Sequence, residues 1–176
     1  LGAARSGAAY VKIGLWGSTT TEEAVAVLRA ARDAVDGDAA VVAATYADAV
    51  RVPSRPLPPR LLVEAAHLAG VAGCLIDTSV KDGRGLLSWL AADELAEIVA
   101  EAHEAGLEMG LAGQLRAEDL PAIRATGADI AGVRSAACLD GRRTAPLDPE
   151  RIAVLRAVCA EQDPRAPSAV GPVDRA

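Results

Sequence analysis

One short apolar run leads directly into a cluster of acid, hydroxyl and amine groups: Cys74-Leu75-Ile76-Asp77-Thr78-Ser79-Val80-Lys81-Asp82-Gly83. Its first half has the composition of a buried parallel strand. Its second half has that of the mouth of an α/β active site, where strand ends collect reactive side chains. An aspartate near a lysine can keep the amine charged, whereas desolvation and a second cation make it a base or a Schiff-base nucleophile. Both chemistries are open to Asp77 and Lys81. Lysine is itself rare here: of 18 basic side chains only Lys12 and Lys81 are not arginine. An amine can release a proton under conditions where a guanidinium cannot, so a lysine retained in an arginine-rich chain points to proton transfer. The competing account is that two lysines remain by chance and snorkel to the surface.

Two further strand ends suit an anion. Leu111-Ala112-Gly113 and Gly132-Val133-Arg134-Ser135-Ala136-Ala137-Cys138 bring small residues that let backbone N–H groups approach a phosphate. Arg134 can add a bidentate contact. The candidate phosphate set is therefore Gly113, Gly132, Arg134, Ser135 and Ala136. The loop Asp48 to Arg60 alternates prolines with arginines, including Arg51. It reads either as a stiff connection or as a substrate-contacting loop, and Asp48 and Arg51 are its candidates. His67 and His103 fall near helix C-termini, away from the strand mouths, and read as structural. Cys74, Cys138 and Cys159 have no adjacent base in sequence and read as small packing residues.

The elements that must position these groups show as a repeat. Helices stopped by glycine lead into strands at Tyr10 to Gly14, Ala39 to Thr45, Gly73 to Asp77, Glu108 to Gly113 and Asp129 to Arg134. Amphipathic helices are expected over Thr20 to Asp36, Pro59 to Leu68, Asp93 to Ala105, Glu118 to Thr126 and Pro149 to Cys159, the first opened by a Thr20-x-x-Glu23 capping box. Five strands alternating with five helices imply parallel crossovers and a layered α/β architecture. Lys12, Asp48, Asp77, Lys81, Gly113 and Arg134 should then converge on one mouth. A five-stranded doubly wound sheet fits this length unaided, whereas an eightfold barrel takes about 250 residues. The alanine-rich start, without methionine, reads as the last turns of a helix and leans towards a barrel with upstream units missing. One domain over 1–161 and a frayed polar tail over 162–176 are expected.

Composition narrows the function. At 51% hydrophobic with mean hydropathy +0.21, the 176 residues can bury a core. No phenylalanine is present, so the interior must be Val, Leu, Ile and Ala between close layers. A net charge of −6 with interspersed signs argues against nucleic acid or an anionic membrane. Three cysteines without a C-x-x-C pair indicate neither zinc nor a disulfide framework, and fit a reducing cytoplasm. No apolar stretch is long enough for a membrane span.

Taken in order, Tyr10-Val11-Lys12-Ile13-Gly14-Leu15-Trp16-Gly17, Tyr46-Ala47-Asp48-Ala49, Leu75 to Gly83, Leu111-Ala112-Gly113 and Gly132 to Cys138 resemble the (5-formylfuran-3-yl)methyl phosphate synthases of methanofuran biosynthesis. The resemblance runs from residue 1 to about residue 160. It implies a TIM (β/α)8 barrel of which this chain supplies strands four to eight, the N-terminal three units being absent. It also implies a cytoplasmic carbon–oxygen lyase acting on phosphates. Such an enzyme condenses two molecules of glyceraldehyde 3-phosphate into a furan aldehyde phosphate, losing phosphate and water, through a Schiff base. By the same resemblance Lys12 is the proton acceptor, Asp77 and Lys81 are the active-site aspartate and second lysine, and Gly113 with Gly132 to Ala136 holds phosphate. No metal or organic cofactor is implied; the partner is a triose phosphate, and homo-oligomerisation stays open. The family's Schiff-base lysine belongs to an Asp-x-Lys-Asn-Pro motif that does not occur in these residues, so this chain alone is expected to be inactive. Ser135 stands where the family usually has glycine. Two other readings are a class I aldolase with Lys81 as the Schiff-base residue and a non-catalytic, flavodoxin-like phospho-ligand module.

Overall fold

Strands form where small and β-branched apolar residues run together, and helices form where the apolar period lengthens and a cap is available. The computed structural model describes Gly2 and residues 6–160. Its strands are β1 (Tyr10–Gly14), β2 (Ala40–Tyr46), β3 (Gly73–Asp77), β4 (Glu108–Ala112) and β5 (Ile130–Gly132). They alternate with α1 (Thr21–Val35), α2 (Leu62–Ala69), α3 (Ala92–Glu104), α4 (Leu120–Ala125) and α5 (Pro149–Ala160). The expected tail and most of the alanine-rich start lie outside the described residues.

The local signals act as their chemistry dictates. Thr20 accepts the Glu23 N–H, and the Glu23 carboxylate reaches back to Thr20 N–H, closing the capping box. Hydrogen bonds from Thr19, then Thr20, hold that carboxyl below its usual value. Gly37, Gly70, Gly106 and Gly127 follow the first four helices at positive φ, ending each one before the next strand. α2 and α4 start later than expected, because Pro59–Leu61 and Ala117–Asp119 form single 3-10 turns ahead of them. β5 is also shorter than the expected Asp129 to Arg134. Its partner β4 ends at Ala112, opposite Gly132, so Val133 and Arg134 have no ladder to continue.

The sheet is wholly parallel and its order is β1-β2-β3-β4-β5. When consecutive strands stay adjacent, right-handed crossovers put every helix on the same face. The side chains sort accordingly. Val41, Ala43, Cys74, Ile76, Met109 and Leu111 are buried in the main core with Leu28, Leu62 and Leu95 of the helices. Tyr10, Lys12, Val42, Leu75 and Ile130 alternate onto the other face, where Tyr10 is 49% and Ile130 50% exposed. A doubly wound sheet reverses its strand order and buries both faces. The observed order rules out the flavodoxin-like arrangement and is the one from which barrel walls are made.

Candidate active site

Position in the pleat decides which polar side chains share a surface. Lys12 lies in register with Val42, and Asp77 with Tyr46, all on the open face. From mid-β1 the Lys12 side chain comes within 3.9 Å of Asp77 Oδ2, and about half of it remains exposed. Lys81, four residues beyond Asp77, donates to Asp77 Oδ1 at 3.0 Å, to Thr78 Oγ1 at 3.3 Å and to the Thr78 carbonyl. The chain's two lysines therefore flank one carboxylate, and they are held differently. Lys81 has three acceptors around Nζ, which hold it in place. Lys12 has one distant partner and room to move.

These three residues line a cleft of about 540 Å³ together with Ala112, Gly113, Gln114, Gly132, Arg134, Ser135 and Arg143. The cleft holds four basic side chains, Lys12, Lys81, Arg134 and Arg143, against the single carboxylate of Asp77. That balance suits a dianionic ligand such as a phosphate. Gly113 closes one wall at φ +115, and a Cβ there would stand 2.8 Å from the Thr78 backbone nitrogen. Only glycine lets β4 come this close to the end of β3. Beyond β5 the chain forms a 3-10 turn over Ser135–Ala137. A small hairpin, bridged at Cys138 and Leu147, then brings Arg143 to the cleft, where its carbonyl accepts from Arg134 Nε at 3.4 Å.

Of the sequence candidates, Lys12, Asp77, Lys81, Gly113, Gly132, Arg134 and Ser135 thus share one cleft. Ala136 lines a neighbouring cleft of about 420 Å³ on the other side of Ser135 and Gln114. Asp48 and Arg51 line neither. Asp48 is fully buried, and its two oxygens accept the Ser79 and Val80 N–H groups at 2.7 Å each. Arg51 turns to Asp82 at 2.6 Å, where Arg84 also binds. Hydrogen bonds from Arg84, then Arg51, hold the Asp82 carboxyl far below its ordinary range.

Sequence reasoning missed Gln114, Arg143 and an aromatic pair. Trp16 Nε1 donates to Tyr46 Oη at 2.6 Å, with ring centroids 4.5 Å apart. Burial raises the Tyr46 phenol above its usual value; the Trp16 hydrogen bond opposes this, and the Asp77 and Asp48 charges add to it. Rarity was a signal here, as it was for lysine, since the chain has only two tryptophans and two tyrosines. Among the described residues no cluster of three or more His, Cys, Asp or Glu is placed to hold a metal ion.

Consecutive β/α units on a wholly parallel sheet, with amines, a carboxylate and arginines at the strand C-terminal ends, define an α/β fold of the TIM-barrel-like class. The fold agrees with that of 3-hexulose-6-phosphate synthase, at a TM-score of 0.53 and 18% identity over 88% of this chain and 63% of that one. The family model described as 4-HFC-P synthase matches residues 1–156, and the chain belongs to that family. It is 50% identical over 146 residues to (5-formylfuran-3-yl)methyl phosphate synthase of Methanopyrus kandleri, covering 81% of this chain and 61% of that protein. Against the Methanocaldococcus jannaschii protein of the same name it is 41% identical over 164 residues, covering 90% and 68%. The chain thus spans roughly three-fifths to two-thirds of the length of these relatives.

Proposed function

We propose that the cleft takes glyceraldehyde 3-phosphate and contributes to its condensation, two molecules at a time, into (5-formylfuran-3-yl)methyl phosphate with loss of phosphate and water. One observation carries this reading: the two lysines of the chain share Asp77 in a cleft that also holds Arg134, Arg143, Gly113, Gly132 and Ser135. Lys12, loosely tethered and half-exposed, is the proton acceptor; once protonated it is stabilised by Asp77, and it can return the proton to a leaving oxygen. Lys81 supplies fixed positive charge to the oxyanions that develop in the aldol and elimination steps. Arg134 and the backbone at Gly113 and Gly132 to Ala136 hold the substrate phosphate.

The proposal assigns the Schiff base to neither lysine. Lys81 Nζ is held by Asp77 Oδ1, Thr78 Oγ1 and the Thr78 carbonyl, and a substrate carbonyl would have to displace these contacts to reach it, which weighs against the class I aldolase reading. Asp-x-Lys-Asn-Pro is absent from the 176 residues, so in this reading the imine forms on a lysine outside them, in a barrel whose strands four to eight are β1 to β5. The test is to assay furan aldehyde and inorganic phosphate released from glyceraldehyde 3-phosphate. The samples are the chain alone, and the chain fused to the part of the M. kandleri relative that it does not match. The chain alone should be silent and the fusion active, and Lys12→Ala in the fusion should lower kcat by about 10²-fold or more. Product from the chain alone would refute the assignment of the nucleophile. An undiminished Lys12→Ala fusion would refute the role of Lys12.

A further inference from the structure

We infer that Asp48 and Gln114 are positioning residues for Lys81: they anchor the segment 79–84 from both flanks and so hold the Lys81 ammonium against Asp77. From the β2 side, the buried Asp48 carboxylate accepts Ser79 N–H and Val80 N–H, both at 2.7 Å. From the β4 side, the Gln114 amide accepts Gly83 N–H at 2.9 Å and donates to Val80 O at 3.2 Å and Arg84 O at 2.7 Å. Five backbone groups of six consecutive residues are thus fixed by two side chains, neither of which is among the hydrogen-bond partners of Lys81 Nζ.

The arrangement is specific to this segment. Gln114 sits at φ +52, a region a non-glycine residue rarely occupies, and its amide has a partner for its oxygen and for both N–H donors. A carboxylate buried as deeply as Asp48 persists only when hydrogen bonds replace its water, and here those bonds fall on the two residues just before Lys81. The other contacts of this Gly83- and Gly85-containing loop lie at its far end, where Leu86 N–H donates to the Gly113 carbonyl at 2.9 Å and the Arg84 guanidinium lies 4.6 Å from the Trp89 ring centroid, so Ser79, Val80 and Gly83 depend on the two anchors. The Arg51–Asp82 and Arg84–Asp82 pairs are partly exposed and contribute little order. Without the anchors Lys81 would be as free as Lys12, and the difference between a fixed amine and a mobile base would disappear.

Having two lysines makes the chain its own reporter. The 176-residue chain is treated with limiting acetic anhydride, and acetylation of Lys12 and Lys81 is followed by peptide mass spectrometry. In the parent chain Lys12 should react faster. Gln114→Gly removes the amide while accepting the positive φ, and Asp48→Asn removes the charge while keeping the shape. Each should raise the Lys81-to-Lys12 rate ratio by about fivefold or more, the opening expected from losing one or two such hydrogen bonds. Gln114→Glu, which keeps the acceptor and loses both donors, should fall between. An unchanged ratio in Gln114→Gly overturns the inference even if Asp48→Asn fails to fold, and so does a parallel rise of both lysines, which would mark general loosening. The ratio reports side-chain placement rather than turnover, so it stands or falls separately from the proposed reaction; in an active fusion the same variants should lower kcat with KM held within about twofold.

Discussion

Two amines of the same residue type are held differently by a few ångströms of surroundings. Lys81 is enclosed by acceptors from the end of β3, while Lys12 leans towards Asp77 from a neighbouring strand with solvent beside it. Rarity in composition brought both lysines forward, and their pairing through Asp77 was legible from the strand-end rule. The asymmetry was not, because it depends on whether Nζ finds three acceptors or one. Asp48 makes the same point: as a polar residue at a strand end it read as a ligand contact, and in the fold it braces the backbone of the next strand's loop. Cysteine reactivity follows burial in the same way. Burial, with the Glu101 charge adding to it, pushes the Cys74 thiol up to about 12, and Cys138 is also buried, whereas Cys159 is exposed. A disulfide exchange reagent should therefore titrate one thiol rapidly in the native chain and three in denaturant. Rapid labelling of Cys74 in the native chain would contradict the packing of β3 against the helices.

Elements join through polar contacts as well as through the apolar layer. Asp129, at the start of β5, accepts the Met109 N–H of β4 at 2.8 Å and pairs with His103 of α3 at 2.9 Å. One carboxylate thus ties a helix and two strands together. Desolvation alone would raise its pKa; the Met109 and His103 hydrogen bonds outweigh this, and the net shift is downward from 3.8. A depressed carboxylate stabilises the fold above its ordinary value, and that contribution is lost as pH falls through the lower folded value. Asp129→Asn should accordingly lower Tm by a few degrees, about 1 kcal/mol, near neutral pH, and the gap between the two melting curves should shrink as pH falls below 3.8. A constant gap across that range would mean that the charge is irrelevant. His103 was expected to answer only its own helix dipole, and its pairing with Asp129, 26 positions along the chain, was invisible to a local reading.

At the scale of the whole molecule, the described residues form a sheet with one apolar face under helices and one face accessible, and the two faces should respond differently to mutation. Leu111, fully buried on the helix side, should cost about 2–5 kcal/mol on truncation to alanine, against under about 1 kcal/mol for Ile130 on the open side. Denaturant unfolding of both variants checks this, and equal losses would show the open face to be covered in solution. The alternation, the capping box, the glycine stops and the order of five β/α units were all set by local chemistry, which is why strand and helix positions could be read to within a few residues. Rare residue types marked the amines. Strand order was beyond local reading, because a parallel pair is compatible with either a reversing or a consecutive arrangement until the crossovers are packed. Only the packed sheet decided that every helix lies on one side, that Lys12 and Lys81 meet across Asp77, and that Asp48 and Gln114 serve the backbone. Each of these depends on contacts between residues about 30 or more positions apart, whose distances no periodicity encodes.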